Sequence, residues 1–158
     1  MSAPSVVGHE RFEKLGRERI VVGDLFAYDV AVIPIQTKGR YYGSISRALA
    51  AKGVPVPDLA LGCAVYVESV PGRGYMFVAL WSDDNTYTPA HIYACGRACI
   101  RRASTLRLPQ LAFPLLGGNE RFRFVGAMEK AVDDAMDEAD ERDQHMPEVV
   151  FVTDRALE

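Results

Sequence analysis

The run Val30-Ala31-Val32-Ile33-Pro34-Ile35 is apolar at every position and rich in β-branched side chains. Successive side chains of a strand point to opposite faces of its sheet. A strand with this composition must therefore be covered on both sides, which is the situation of a central strand between two layers of helix. A sheet with one solvated face would alternate apolar with polar residues instead. Pro34 has no N–H to give to a ladder and is expected to mark the end of the strand.

The rest of the chain supplies partners for such a strand. Ser5 to Arg19 shows no clean periodicity, and Ile20-Val21-Val22 reads as a short strand ending in a turn at Gly23-Asp24. Between Gly43 and Lys52, the residues Ile45, Ala48 and Leu49 recur at helical spacing, with Ser44 as the cap and Gly53 as the stop. Leu61–Glu68 and Tyr75–Leu80 read as two strands of a hairpin turned by Pro71-Gly72-Arg73-Gly74. Thr88-Pro89 offers a cap and a first-turn proline for a helix to about Thr105, followed by a buried strand at Leu111–Pro114. A last amphipathic helix, about Val125 to Glu141, presents Met128, Val132, Ala135, Met136 and Ala139 on one stripe, and Val149–Val152 closes as a strand. Strands alternating with helices imply an α/β fold with a mostly parallel sheet and right-handed crossovers.

Length and composition limit the possibilities further. A chain of 158 residues, 49% hydrophobic and 25% charged, is expected to form one domain spanning 1–158, its core at about 19–153. The net charge of -3 and the scattered basic residues argue against a nucleic-acid partner. The longest apolar stretch, Leu25 to Ile35, is broken by Tyr28 and Asp29 and falls short of the ~20 residues of a membrane span. Met1-Ser2-Ala3-Pro4-Ser5 lacks the features of a secretory signal, so a cytoplasmic location is expected.

Cys63, Cys95 and Cys99 form no CxxC pair and suit reduced thiols. His91, Cys95 and Cys99 recur every fourth residue and invite a metal reading. One helical stripe, however, offers its ligands in a row rather than around a tetrahedron, and Ile92, Cys95, Cys99 and Leu106 read as a buried face. The acidic series Asp133, Asp134, Asp137, Glu138, Asp140 and Glu141 reads as a solvated helix face. Neither a metal nor a cofactor is expected. His9, His91 and His145 have no triad spacing with Ser44 or Ser46, which speaks against a serine hydrolase.

Ligands of open α/β sheets bind beyond the carboxyl ends of the strands. Four segments qualify: Gly23-Asp24-Leu25, Gln36 with the loop to Ser46, Ser82-Asp83-Asp84-Asn85, and Leu116-Gly117-Gly118-Asn119. The second and fourth are candidates for phosphate loops, because glycine lets backbone N–H groups approach an anion ahead of a helix.

The order Ile20-Val-Val-Gly-Asp-Leu, Asp29-Val-Ala-Val-Ile-Pro-Ile-Gln, Gly43-Ser-Ile-Ser-Arg-Ala and Leu111-Ala-Phe-Pro-Leu-Leu-Gly-Gly-Asn resembles the macro domain family. The resemblance extends from about Arg19 to Val152. It implies a three-layer α/β/α module with a mixed, mostly parallel sheet that binds ADP-ribose. By resemblance, Gly23, Asp24 and Leu25 would belong to the ligand site, with Asp24 accepting from the adenine amino group and Leu25 touching the base. Gly43, Ser44 and Ile45 would form the first diphosphate loop, and Leu116, Gly117, Gly118 and Asn119 the second. Phe122 or Phe124 would supply a stacking aromatic. Gln36 stands where the family often has an asparagine associated with distal-ribose binding and hydrolysis, and Arg40, Tyr41 and Tyr42 replace glycines.

Three functions are compatible with these residues. The first is binding of ADP-ribose or a related ADP-containing nucleotide, free or on a modified protein. The second is an ADP-ribosyl hydrolase, with Asp83, Asp84, Lys38 and Glu120 as the polar strand-end residues available to it. The third is an interaction module of the same fold without a nucleotide.

Overall fold

A computed structural model describes residues 19–38, 44–81, 88–116 and 125–153. Its strands are β1 (Arg19–Val22), β2 (Val30–Gln36), β3 (Ala64–Val70), β4 (Arg73–Trp81), β5 (Gln110–Pro114) and β6 (Glu148–Thr153). Its helices are α1 (Ser44–Ala51), α2 (Pro89–Leu106) and α3 (Val125–Arg142), with a short 3-10 turn at Leu25–Ala27. The six strands form one sheet in the order β1-β6-β5-β2-β4-β3. Every neighbouring pair is parallel except β3 with β4.

The apolar run of β2 is central, as its composition requires. Val30 and Val32 join Met76, Val78, Leu111, Phe113 and Phe151 on one face, where Ile92, Cys95 and Cys99 of α2 and Met128, Val132 and Ala135 of α3 pack. Ala31, Ile33 and Ile35 point the other way, toward Phe77, Val150, Leu25 and Leu49 of α1. Val32 and Ile33 are both 0% exposed on opposite faces, and burial of each stabilises the fold by about 1.5–3 kcal/mol. The result is a three-layer α/β/α arrangement around a mixed, mostly parallel sheet.

Local chemistry sets the element ends. Thr88 caps α2, its Oγ1 accepting from the His91 amide at 3.2 Å, with Pro89 in the first turn. The β3–β4 hairpin turns through Pro71 and Gly72, the latter at φ +83°, a conformation glycine adopts without strain. Gly53, at φ +76°, ends α1 as expected.

Several expectations need correction. Pro34 does not end its strand: β2 continues to Gln36 and stays in register with β4 through Pro34↔Val78. Registered pairing of β2 with its other neighbour, β5, is confined to Ala31↔Ala112, so the donorless proline lies beyond that pair. Ser44 is the first residue of α1 rather than its cap. Leu106 is 47% exposed, and Ala103 is the last buried residue of the stripe. Leu61 is likewise outside β3 and exposed.

Candidate functional site

Because β1, β6, β5, β2 and β4 are all parallel, their carboxyl ends lie along one edge of the sheet. That edge carries Gly23 and Asp24 after β1, Gln36 at the end of β2, Trp81 at the end of β4, Leu116 after β5 and Thr153 at the end of β6. The neighbours β2 and β5 send their chains in opposite directions. After β2 the chain passes through α1, on the second face, toward β3 and β4; after β5 it passes through α3, on the first face, to β6. The seam between β2 and β5 is therefore a topological switch point, the place where an open α/β sheet forms a crevice.

Gln36 ends β2 at this seam and is 7% exposed. A polar residue at a strand end is commonly open to water, whereas this amide is packed inside the protein. A register shift accompanies it: Ile35 pairs with Ala79 but Gln36 with Trp81, leaving Leu80 as the extra residue of a bulge. Bulges re-aim strand ends, and they recur beside functional sites. The Thr37 amide donates to the Trp81 carbonyl at 2.9 Å and closes the bulge. Lys38 follows in the left-handed region at φ 67°, a conformation that costs a non-glycine residue about 1–3 kcal/mol.

At the end of β1, the Gly23 amide donates to the Thr153 carbonyl at 2.9 Å, tying two strand ends together. Asp24 is exposed, and its Oδ1 accepts from the Phe26 amide at 3.0 Å, capping the 3-10 turn. A carboxylate has lone pairs to spare on its other oxygen, so the cap leaves an acceptor for a ligand. Leu25 turns its side chain into the second-face core at 8% exposure. Ile45, in the first turn of α1, is half-buried against the same core. Leu116 is 1% exposed in the first-face core, so its backbone rather than its side chain is what the edge can offer.

The structure thus brings Gly23, Asp24, Gln36, Ser44, Ile45 and Leu116 to the same edge. Gly43, Gly117, Gly118, Asn119 and Phe122 lie outside the described residues, as do Arg40, Tyr41, Tyr42, Asp83, Asp84, Glu120 and Phe124. Trp81 and Thr153 escaped the sequence reading because both expected strands stopped one residue short of them. The single tryptophan of the chain, directly after an apolar run, was the signal available for Trp81.

His91 also stands at this edge, in the first turn of α2. Its Nε2 is buried without a hydrogen-bond partner among the described residues, and burial pulls its pKa below the ordinary value of 6.5, favouring the neutral ring. Cys95 and Cys99, one and two turns on, are fully buried in the first-face core. Burial pushes the Cys95 thiol up to about 12 and the Cys99 thiol well above its ordinary range, so both behave as packing residues. No group of three His, Cys, Asp or Glu side chains among the described residues is placed to hold a metal. No helix among them is long and apolar enough to cross a membrane.

No protein-family model matches the chain, and no curated protein matches it in sequence. Solved structures do. The macrodomain of Thermus aquaticus DarG superposes with a TM-score of 0.62 at 14% identity, covering 87% of this chain and 97% of that one. A macrodomain protein from Streptomyces coelicolor gives a TM-score of 0.59 at 15% identity, with 88% and 99% covered. The Trypanosoma brucei macrodomain, solved in complex with ADP-ribose, gives 0.60 at 14% identity, with 88% and 64% covered. The fold is that of the macrodomains, reached here by a highly divergent sequence.

Proposed function

We propose that this chain binds ADP-ribose, or a related ADP-containing nucleotide, at the carboxyl edge of its sheet. The observation that carries the reading is the buried Gln36 at the β2/β5 switch point, in a fold shared with a macrodomain solved in complex with ADP-ribose. In this reading the free oxygen of Asp24 accepts from the adenine amino group, with Gly23 and Leu25 beside the base. Backbone N–H groups of Gly43, Ser44 and Ile45, and of Leu116, Gly117, Gly118 and Asn119, hold the diphosphate. Gln36 faces the distal ribose and Phe122 stacks against the ligand. The nucleotide is taken free or on an ADP-ribosylated protein. The unit that binds it is one domain with its core at about 19–153. Free cysteines at 63, 95 and 99 suit a reducing compartment such as the cytoplasm.

The role given to Gln36 in this reading is one of binding. A glutamine amide neither takes nor gives a proton, so Gln36 suits hydrogen bonding rather than activation of water. Calorimetric titration with ADP-ribose, followed by incubation with an ADP-ribosylated protein, tests the reading. Saturable heat without release of ADP-ribose is expected. Release would move the assignment to a hydrolase, and absence of heat would overturn the nucleotide reading.

A further inference from the structure

A second candidate site lies at the other end of the molecule. Helices α2 and α3 both start at the carboxyl edge and finish at the amino edge, so they run side by side in one direction. Polar contacts along their seam step down that direction. The Tyr93 hydroxyl donates to Asp134 at 2.6 Å, Arg97 donates to Glu138 at 2.9 Å, and Arg101 reaches the same carboxylate at 3.4 Å. Next to Glu138, residues of both helices and of the segment after α3 line a cleft of about 200 Å³. Its floor is apolar, formed by Ile100, Ala135 and Ala139, which are 2%, 5% and 7% exposed. Its rim carries Arg101, Arg142 and His145.

The charges there do not balance. Arg97, Arg101 and Arg142 surround one carboxylate, Glu138, whose pKa all three pull below its ordinary value. Arg97 is the buried member, its side chain 12% exposed, and it takes the shorter bridge to Glu138. Arg101, 61% exposed, reaches both oxygens of Glu138 at the longer distance of 3.4 Å, and Arg142 makes no ion pair among the described residues. The two helix carboxyl ends contribute roughly half a negative charge each. The guanidinium groups of Arg101 and Arg142, two against the one carboxylate that lines the cleft, match a carboxylate in two-point geometry.

We infer that this cleft binds a small organic monocarboxylate, its acid group held by Arg101 and Arg142 and its apolar body laid on Ile100, Ala135 and Ala139. The volume is below the roughly 300–1,000 Å³ of drug-sized pockets, which restricts the body to about one ring. Free phosphate fits less well, since it carries more charge than the surplus and has nothing to place on the apolar floor. His145 closes one side. Its Nε2 lies 2.6 Å from the Leu108 carbonyl, which only accepts, so Nε2 carries the hydrogen and the ring is fixed in place.

The test is a titration of the whole chain with benzoate, benzamide and inorganic phosphate, read by amide chemical shifts. Benzoate is expected to shift residues 100–105 and 139–146 saturably, with benzamide and phosphate at least about tenfold weaker, the weight of one charge-assisted contact. Arg101→Gln and Arg142→Gln should each weaken benzoate by about tenfold while melting like the parent, because both side chains are at the surface. Absence of saturation, equal binding of benzamide or of phosphate, or parental affinity in both variants would overturn the proposal. If the arginines served only the helix ends, the variants would lose stability and leave the benzoate response unchanged. ADP-ribose binding in either variant is expected to match the parent, which separates this site from the carboxyl edge.

Discussion

Gln36 and Trp81 stand opposite each other at the carboxyl ends of β2 and β4, paired across a bulge that skips Leu80. Both are buried, at 7% and 5% exposure. The last pair of a parallel ladder is thus taken by a polar amide and the one tryptophan, inside the protein rather than in water. An amide in that position is retained only if its hydrogen bonds are met.

Gln36→Leu keeps the volume and removes the polar group. The partner left behind pays its desolvation, so stability should fall by about 1–3 kcal/mol, measured as a shift in the urea midpoint. Under the proposed function, ADP-ribose affinity falls more than AMP affinity, because Gln36 faces the distal ribose. Equal losses for both ligands would confine Gln36 to a structural role.

Asp24 separates capping from recognition. Asp24→Asn keeps a good cap for the Phe26 amide and should melt like the parent, whereas Asp24→Ala should lose about 0.5–2 kcal/mol. Under the proposed function either change removes the carboxylate that accepts from the adenine, and should weaken nucleotide binding in calorimetry by about 1.5–3 kcal/mol. An Asn variant with parental affinity would remove the charge of Asp24 from the site.

Gly74→Ala probes the hairpin edge, where the first atom of a side chain would collide with the Val67 carbonyl and meet the Tyr66 ring atoms at 2.8 Å. The backbone oxygen cannot swing aside, so overpacking should cost about 1–3 kcal/mol. Thermal unfolding reads the loss, and nucleotide affinity of the folded fraction should not change.

The thiols divide by burial. Cys63 is exposed, while Cys95 and Cys99 are buried, with the Cys95 pKa raised to about 12. Burial disfavours the thiolate, and the thiolate is the nucleophile. One equivalent of thiol reagent should therefore react with the native protein at about pH 8, below the Cys95 pKa, and three equivalents after denaturation. Labelling of Cys95 at the native rate of Cys63 would contradict its place in the core.

Much of the fold was legible because its signals are local. Val30–Ile35 announced a strand covered on both faces, Thr88-Pro89 a helix start, and Pro71-Gly72 a hairpin turn. What escaped depends on neighbours. Pro34 is tolerated because registered pairing on the β5 side is confined to Ala31↔Ala112, and Leu106 is exposed because the buried stripe of α2 ends at Ala103. Gln36 looks like any polar residue after an apolar run, and only the bulge beside Trp81 shows that it is buried. The convergence of Asp24, Gln36 and Leu116 on one edge follows from the all-parallel centre of the sheet, a property of strand order rather than of any segment.

The central claim is a nucleotide at that edge, and the most direct measurement is a map of amide chemical shifts as ADP-ribose is added to the isotopically labelled chain. The expected result is saturable change concentrated at residues 23–25, 36–38, 44–46 and 115–119, with residues 100–105 and 139–146 at the amino edge unmoved. Changes confined to the amino edge, or a spectrum unaltered at a ligand concentration of about 1 mM, where even weak specific binding registers, would contradict it.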